Sequence, residues 1–182
     1  MTDERPSKDQ YYMDLAKTVS ARSTCLKVEI GAVIIRDDQV VATGYVGAPR
    51  GTKSSLEHDF CLRRKLGIPS GQRYEICRSV HAEQNAIINA ARSGTSVLGG
   101  DIYIYGHSKE GDKEVLNAFP CFICKKMIIN AGLKRCICSM KDGSLKIFDI
   151  EDWVEDWRKN DIIDDTYQYG VDVVDTASGK ID

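Results

Sequence analysis

The sequence predicts an α/β fold in which helices cover both faces of a mixed sheet. In some segments apolar residues recur every three to four positions, as in helices, and in others they alternate with polar residues, as in strands. Segments of the two kinds follow one another along the chain. Strands separated by helices usually run parallel and are buried on both faces. The length of 182 residues, with 42% hydrophobic and 29% charged, matches one globular domain with its own core.

Each predicted element rests on a local pattern. A first helix is expected where Tyr11, Leu15 and Val19 lie at helical spacing, and a hairpin where Asp37 and Asp38 interrupt two apolar runs. The full set comprises helices over residues 7–22, 80–92, 121–131 and 147–158, strands over 30–35, 40–45, 101–105, 135–139 and 171–174, and a polar excursion over 50–78 that is partly helical near 60–66.

Composition narrows the environment and the partners. No stretch reaches the ~20 apolar residues that cross a bilayer, and residues 1–10 are too polar for a signal-peptide core, so we expect a cytoplasmic protein with no membrane partner. Seven cysteines in such a chain point to thiol or metal chemistry. A net charge of -2 gives no general attraction to a polyanion, so no nucleic-acid partner is expected. The single domain, 1–182, has an acidic C-terminal extension from about residue 149 and a basic middle segment, here called the basic segment, which contains Lys53, Arg63, Arg64, Lys65, Arg73 and Arg78.

Two short motifs carry the chemistry. His81 and Glu83 lie at the start of one predicted helix, and Pro120, Cys121 and Cys124 at the start of another. The spacing of the cysteines places both thiols on one helix face, where the helix dipole favours thiolates. With His81 as a third ligand they would hold zinc and leave the fourth tetrahedral position to water, as catalytic zinc sites do.

Glu83 is expected to shuttle protons rather than to bind the metal. It lies two residues after His81 and therefore on another side of the helix. Neither motif decides the function alone, because a lone C-x-x-C could also be a redox pair or half of a zinc ribbon. Together, H-x-E and P-C-x-x-C resemble the known signature of zinc-dependent base deaminases, in which the glutamate passes a proton from water to the ring nitrogen and then to ammonia.

Beyond these motifs, the chain resembles the deoxycytidylate (dCMP) deaminase family over roughly residues 9–139. The matching stretches are STC at 23–25, IGAV at 30–33, GYVGAPRG at 44–51, CLRR at 61–64, IPSG at 68–71 and CRSVHAEQNAI at 77–87. The resemblance implies a cytidine-deaminase-like three-layer α/β/α fold with a mixed sheet of about five strands. It also implies a homo-oligomer that hydrolyses dCMP to dUMP, with zinc on His81, Cys121 and Cys124 and with Glu83 as general acid and base.

Two features depart from the family pattern. Valine stands at position 46 where the family usually has the asparagine of Gly-Tyr-Asn-Gly, which contributes to sugar recognition and to regulation by dCTP. Segment 107–119 lengthens the approach to Pro120, either as a reshaped pocket wall or as a tolerated insertion. The candidate substrate-binding residues are Lys27, Val46, Arg50 and Asn85, with Lys53 and Arg78 as further cations for a phosphate.

Some members of this family bind a second zinc, which would be structural. The candidate ligands in the matching regions are Cys25, His58, Cys61 and Cys77. Buried free cysteines are the alternative interpretation.

The remaining cysteines and the two tryptophans are expected to pack in the interior. Cys136 and Cys138 alternate on a predicted strand, so both face the same side and are assigned to the core. Trp153 and Trp157 lie four residues apart among acidic residues, as a helix face that covers either the core or a neighbouring subunit.

Two other functions stay open. A tRNA or single-stranded DNA base deaminase has the same motifs, but it would need a broad basic surface and stacking aromatics. A non-catalytic zinc-containing regulatory protein would explain Val46, but it would have no use for the carboxylate of Glu83 beside the metal.

Overall fold

The computed structural model describes residues 5–69, 72–111 and 114–159. Its elements, in chain order, are α1 (Lys8–Ser20), β1 (Val28–Arg36), β2 (Gln39–Tyr45), α2 (Ser55–His58), α3 (Leu62–Lys65), a 3-10 turn (Tyr74–Ile76), α4 (Ala82–Arg92), β3 (Asp101–Ser108), α5 (Phe122–Asn130), β4 (Arg135–Ser139), β5 (Leu145–Asp149) and α6 (Ile150–Lys159).

The sheet has five strands in the order β2-β1-β3-β4-β5. The β3 and β4 strands pair in parallel, and the other three pairs are antiparallel. Helix α1 packs on one face, whereas α4, α5 and α6 contribute to the core on the other face. The mixed five-stranded sheet and the three-layer α/β/α fold are therefore confirmed. None of the helices in the described ranges is long and apolar enough to cross a bilayer.

Alternate residues of each strand enter different cores, as the period of a strand requires. In β4, Cys136 and Cys138 are fully buried under the α4 face, while Ile137 between them packs with the α1 face. The interior placement that was predicted for the two cysteines is confirmed. The α1 face is dominated by larger side chains, including Tyr12, Met13, Val33, Tyr103 and Tyr105.

Two glycines allow the helices to approach the sheet closely. A Cβ at Gly31 would lie 2.2 Å from the Ala16 carbonyl oxygen of α1. On the other face, a Cβ at Gly44 would lie 2.3 Å from the Ala82 carbonyl oxygen of α4. Both separations are far below van der Waals contact, so a side chain at either strand position would push the helix away.

The β1–β2 hairpin has the predicted turn. Asp37 and Asp38 have φ values of 52° and 60°, and Arg36 pairs with Gln39 across them. Two consecutive positive φ angles are typical of the type I′ turn, whose twist matches that of the strands it joins, and aspartate is among the residues that tolerate this conformation.

The predicted helix over residues 147–158 is wrong at its start. Residues 145–149 form the edge strand β5, in which Ile147 pairs with Ile137 of β4, and the helix begins only at Ile150. Asp149 ends the strand and accepts a hydrogen bond from the Glu151 amide at 3.1 Å, which satisfies one free amide of the new helix. Pairing with β4 thus overrides the helical pattern.

Part of the acidic extension packs on the core. Trp153 is buried and contacts Phe148, with ring centroids 5.4 Å apart, so it covers the core as predicted. Trp157 stacks on Phe122 of α5 at 5.4 Å. The strand predicted over 171–174 lies outside the described residues.

Two excursions lead to the helices that carry the chemical motifs. Residues 50–78 connect β2 to α4 and contain α2, α3 and the 3-10 turn. The segment 107–119 contains the last two residues of β3 and most of the connection to α5, and in its described part the Leu116 amide donates to the Gly106 carbonyl at 2.9 Å. Arg64 and Glu110 form an ion pair that joins the two excursions.

Candidate active site

The first residues of α4 and α5 lie close together, at the end of the sheet where β2 terminates. His81 precedes the first residue of α4, and Cys121 precedes the first residue of α5. The α4 start is held to the end of the hairpin by two backbone hydrogen bonds between Gly47 and Val80, of 3.1 and 2.8 Å. These local connections bring together motifs that are 40 residues apart in the chain.

His81, Cys121 and Cys124 have the separations expected of a zinc-ligand set. The Nδ1 atom of His81 lies 3.3 Å from Sγ of Cys121 and 3.4 Å from Sγ of Cys124. All three ligand atoms lie within 4.8 Å of one another. Zn–S and Zn–N bonds at a tetrahedral angle separate sulfur from nitrogen by about 3.6 Å, so the three side chains fit zinc with little movement.

The two thiols and the imidazole are electrostatically coupled. The hydrogen bond with Cys124 lowers the pKa of Cys121, with further help from His81, whereas the same thiol contact and burial raise the pKa of Cys124. Burial would lower the pKa of His81, but the hydrogen bond with Cys121 and the charge of Glu83 outweigh it, so that pKa is raised. The cluster therefore stabilises thiolate at Cys121, which is the form that binds a metal.

Glu83 is a buried carboxyl group beside the ligand cluster. Its residue is 4% exposed, and burial is the main reason that its pKa is raised. Its closest electrostatic neighbours include His81, Cys121 and Cys124. In the part of the chain that the structure describes, no lysine or arginine forms an ion pair with it. A buried carboxyl group with a raised pKa and no cation partner takes up a proton more readily than an exposed one, as a proton carrier must.

A tyrosine that the sequence analysis missed packs against His81. Tyr74, in the 3-10 turn, meets the His81 ring edge to face, with centroids 5.1 Å apart and planes at 89°. The guanidinium carbon of Arg63 lies 4.7 Å from the centre of the same tyrosine ring. No sequence pattern indicated these contacts, because residue 63 lies in α3, residue 74 in the 3-10 turn and residue 81 just before α4.

Asn85 and Val46 support the backbone at the rim of this cluster. The Asn85 amide nitrogen donates to the Tyr45 carbonyl oxygen at 2.8 Å, and thereby joins α4 to the end of β2. Val46 is buried, and its amide donates to the Ile30 carbonyl at 3.0 Å. A role for either residue in substrate binding stays a prediction.

The side chains of two of the predicted cations have partners within the protein, and for Lys27 a backbone contact is shown. Arg50 donates to the Asn89 side-chain oxygen at 2.6 Å, two helical turns beyond His81. Arg78 donates to the Lys53 carbonyl at 3.4 Å. The Lys27 carbonyl accepts from the Lys109 amide at 2.9 Å.

The proposed ligands of a second zinc are not gathered into a site. Across residues 5–69, 72–111 and 114–159, His81, Cys121 and Cys124 are the one group of three or more potential ligands with ligand atoms this close. Cys25, His58, Cys61 and Cys77 all lie within these ranges and form no such group. The second zinc is therefore not supported by the geometry.

The chain is similar to known deaminases over most of its length. A model of the cytidine and deoxycytidylate deaminase zinc-binding region matches residues 6–140. Deoxycytidylate deaminase of Schizosaccharomyces pombe is 32% identical over 73% of this chain and 37% of its own length, and that of Mycobacterium phage D29 is 31% identical over 73% and 94%. The chain thus spans less than half of the yeast protein.

A solved structure has a similar fold. The crystal structure of dCMP deaminase from the cyanophage S-TIM5 in complex with dCMP and dUMP is similar with a TM-score of 0.52 and 27% identity, covering 71% of this chain and 79% of the phage chain. Taken with the family match over residues 6–140 and the zinc-ligand geometry, this shows that the chain belongs to the cytidine and deoxycytidylate deaminase zinc-binding family.

Proposed function

We propose that this protein hydrolyses dCMP to dUMP and ammonia. The observation that carries the proposal is the buried carboxyl group of Glu83 beside a three-ligand zinc cluster. A structural zinc site is closed by four protein ligands and has no need of an acid or base next to it. A three-ligand cluster with a proton carrier is what hydrolytic deamination requires.

His81, Cys121 and Cys124 would hold the zinc ion. When bound, zinc supplies a Lewis acid that makes water a nucleophile near neutral pH. The chain's part in the metal chemistry is to fix the three ligands at two helix starts.

Glu83 would move the protons. Its carboxylate takes one proton from the attacking water and gives it to the ring nitrogen of cytosine as the amine-bearing carbon becomes tetrahedral. A second proton then goes through the same carboxyl group to the leaving amine, and ammonia departs. Water and dCMP are thus converted to dUMP and ammonia without any other reactant. Burial of Glu83 raises the pKa of its carboxyl group, which favours the proton-carrying form.

The choice of dCMP rests on the relatives. The deaminases from yeast and from phage D29 are named for this substrate, and the phage S-TIM5 structure contains dCMP and dUMP. The net charge of -2 favours a small nucleotide over a nucleic acid. We also place the protein in the cytoplasm as a homo-oligomer; all seven cysteines are free thiols, which suits a reducing compartment.

The test is ammonia release from dCMP, CMP, deoxycytidine and dCTP by zinc-loaded protein, with a cytosine-containing DNA oligonucleotide and a tRNA as further substrates. We expect turnover of dCMP and its loss in Glu83→Gln, which keeps the size of the side chain but removes the acid. Turnover of the oligonucleotide or the tRNA alone would support a nucleic-acid deaminase. Zinc binding without turnover of any substrate would support the regulatory alternative.

A further inference from the structure

Arg63 is linked to the zinc-ligand cluster through the ring of Tyr74, which contacts both the guanidinium and the His81 ring. Its guanidinium carbon lies 4.7 Å from the centre of the Tyr74 ring, and the Tyr74 ring lies 5.1 Å from the His81 ring. The two contacts in series place the guanidinium within about 10 Å of the imidazole that is to hold the metal. One sugar ring separates the base of a mononucleotide from its phosphate. The distance from the guanidinium to the His81 imidazole is therefore compatible with a base beside His81 and a phosphate beside Arg63.

The guanidinium of Arg63 is anchored by one hydrogen bond and has one buried N–H group without an acceptor among the described residues. One of its terminal nitrogens, Nη2, donates to the Pro69 carbonyl at 2.9 Å, which anchors the side chain. Its Nε is buried and has no hydrogen-bond partner among the described residues. A buried guanidinium N–H without an acceptor is costly, and its usual acceptors are carboxylates and phosphates.

Four other arginines of the basic segment and its border have partners within the protein, and among the described residues none of them has a buried N–H group without an acceptor. Their partners are a glutamate, a second glutamate, an asparagine and a backbone carbonyl, in the pairs Arg64 with Glu110, Arg73 with Glu75, Arg50 with Asn89, and Arg78 with Lys53. None of these four is stacked on a ring that contacts a zinc ligand.

We propose that Arg63, held on the face of Tyr74, binds the phosphate of the nucleotide substrate and so makes the enzyme prefer a nucleotide to a nucleoside. This inference rests on the proposed function, and it names a residue that sequence reasoning placed only in a basic segment. A planar guanidinium presents two parallel N–H donors to phosphate oxygens, which lysine cannot do. Tyr74 packs against the guanidinium, and its edge contact with His81 links Arg63 to the zinc-ligand cluster.

The first test compares substrates with and without the phosphate. We expect Arg63→Gln to raise KM for dCMP by about 10- to 100-fold with little change in kcat, and to leave kcat/KM for deoxycytidine near the wild-type value. In Arg63→Lys the KM for dCMP should lie between those of the wild type and Arg63→Gln, since lysine restores the charge but not the two parallel N–H donors. Arg64→Gln, one position along the same short helix, should not change the ratio of kcat/KM for dCMP to kcat/KM for deoxycytidine.

The second test measures binding without turnover. Calorimetric titration with dUMP and with deoxyuridine should show a loss of affinity in Arg63→Gln for dUMP alone. The inference would be overturned if Arg63→Gln lost kcat/KM equally for dCMP and deoxycytidine, or affinity equally for dUMP and deoxyuridine, because Arg63 would then have a structural role. It would also be overturned if the wild type bound dUMP no better than deoxyuridine. If the wild type deaminates neither substrate, the proposed function fails, and the binding comparison still decides the role of Arg63.

Discussion

Replacement of Gly44 by alanine tests whether close packing of α4 on the sheet sets the geometry of the site. A Cβ there would lie 2.3 Å from both the Ala82 carbonyl oxygen and the Ala86 amide nitrogen. Atoms in van der Waals contact are about 3.5 Å apart, so α4 must move by about 1 Å. Overpacking of this kind costs about 1–3 kcal/mol, and we expect a urea unfolding midpoint lower by about 1 M.

The same movement displaces His81 and Glu83, which lie at the start of α4. A misplacement of about 1 Å can reduce a catalytic rate about 100-fold, and we expect kcat/KM for dCMP to fall by that order per folded molecule. Zinc affinity should fall as well, because Cys121 and Cys124 are on a different helix and do not move with His81. The assays are urea unfolding followed by tryptophan fluorescence, competition with a zinc chelator, and steady-state ammonia release.

Gly31→Ala is the matched control on the opposite face. A Cβ at Gly31 would lie 2.2 Å from the Ala16 carbonyl oxygen of α1, which carries none of the site residues. We expect a comparable loss of stability with zinc affinity and turnover close to wild type. If the two variants lost zinc affinity and turnover equally, or if Gly44→Ala lost only stability, the reasoning that α4 packing positions the site would be refuted.

Three further predictions concern the metal, the proton carrier and pH. Cys121→Ser should lower the zinc content from one ion per chain to nearly none, whereas Cys25→Ser should leave it at one; two ions in the wild type would contradict the single site. Glu83→Gln should retain zinc but reduce turnover by about 100- to 10,000-fold, and a smaller effect would exclude it as the proton carrier. Burial and a 2.6 Å hydrogen bond to Asp9 raise the pKa of Tyr103, so folding favours the protonated phenol, and stability should fall as pH rises above about 10. In Tyr103→Phe the urea midpoint should fall less steeply between pH 9 and 11, and an identical slope would show that Tyr103 does not carry the effect.

Features that depend on a few neighbouring residues were predictable from the sequence. The C-x-x-C spacing on a helix start determines that both thiols face one way, and the Asp37-Asp38 pair between apolar runs indicates a two-residue turn. The alternation around Cys136 likewise assigned its side chain to the core. In each case the backbone geometry of one element relates residues to one another, and no contact with a distant segment is needed.

Contacts between segments were decided only by the tertiary structure. Residues 145–149 carry a pattern compatible with a helix, but the free edge of β4 offers backbone hydrogen bonds that an isolated segment does not have, so they form a strand. Arg50 was a candidate for the phosphate by charge alone, and its hydrogen bond to Asn89, two turns beyond His81, is a contact that only the tertiary structure shows. Arg63 and Tyr74 come beside His81 because an irregular excursion folds back over the start of α4, and no periodic pattern describes such a path. The sequence by itself thus predicted the three potential ligands that the structure brings together and the buried carboxyl group beside them. The residues that surround them depend on long-range packing, which local spacing does not encode.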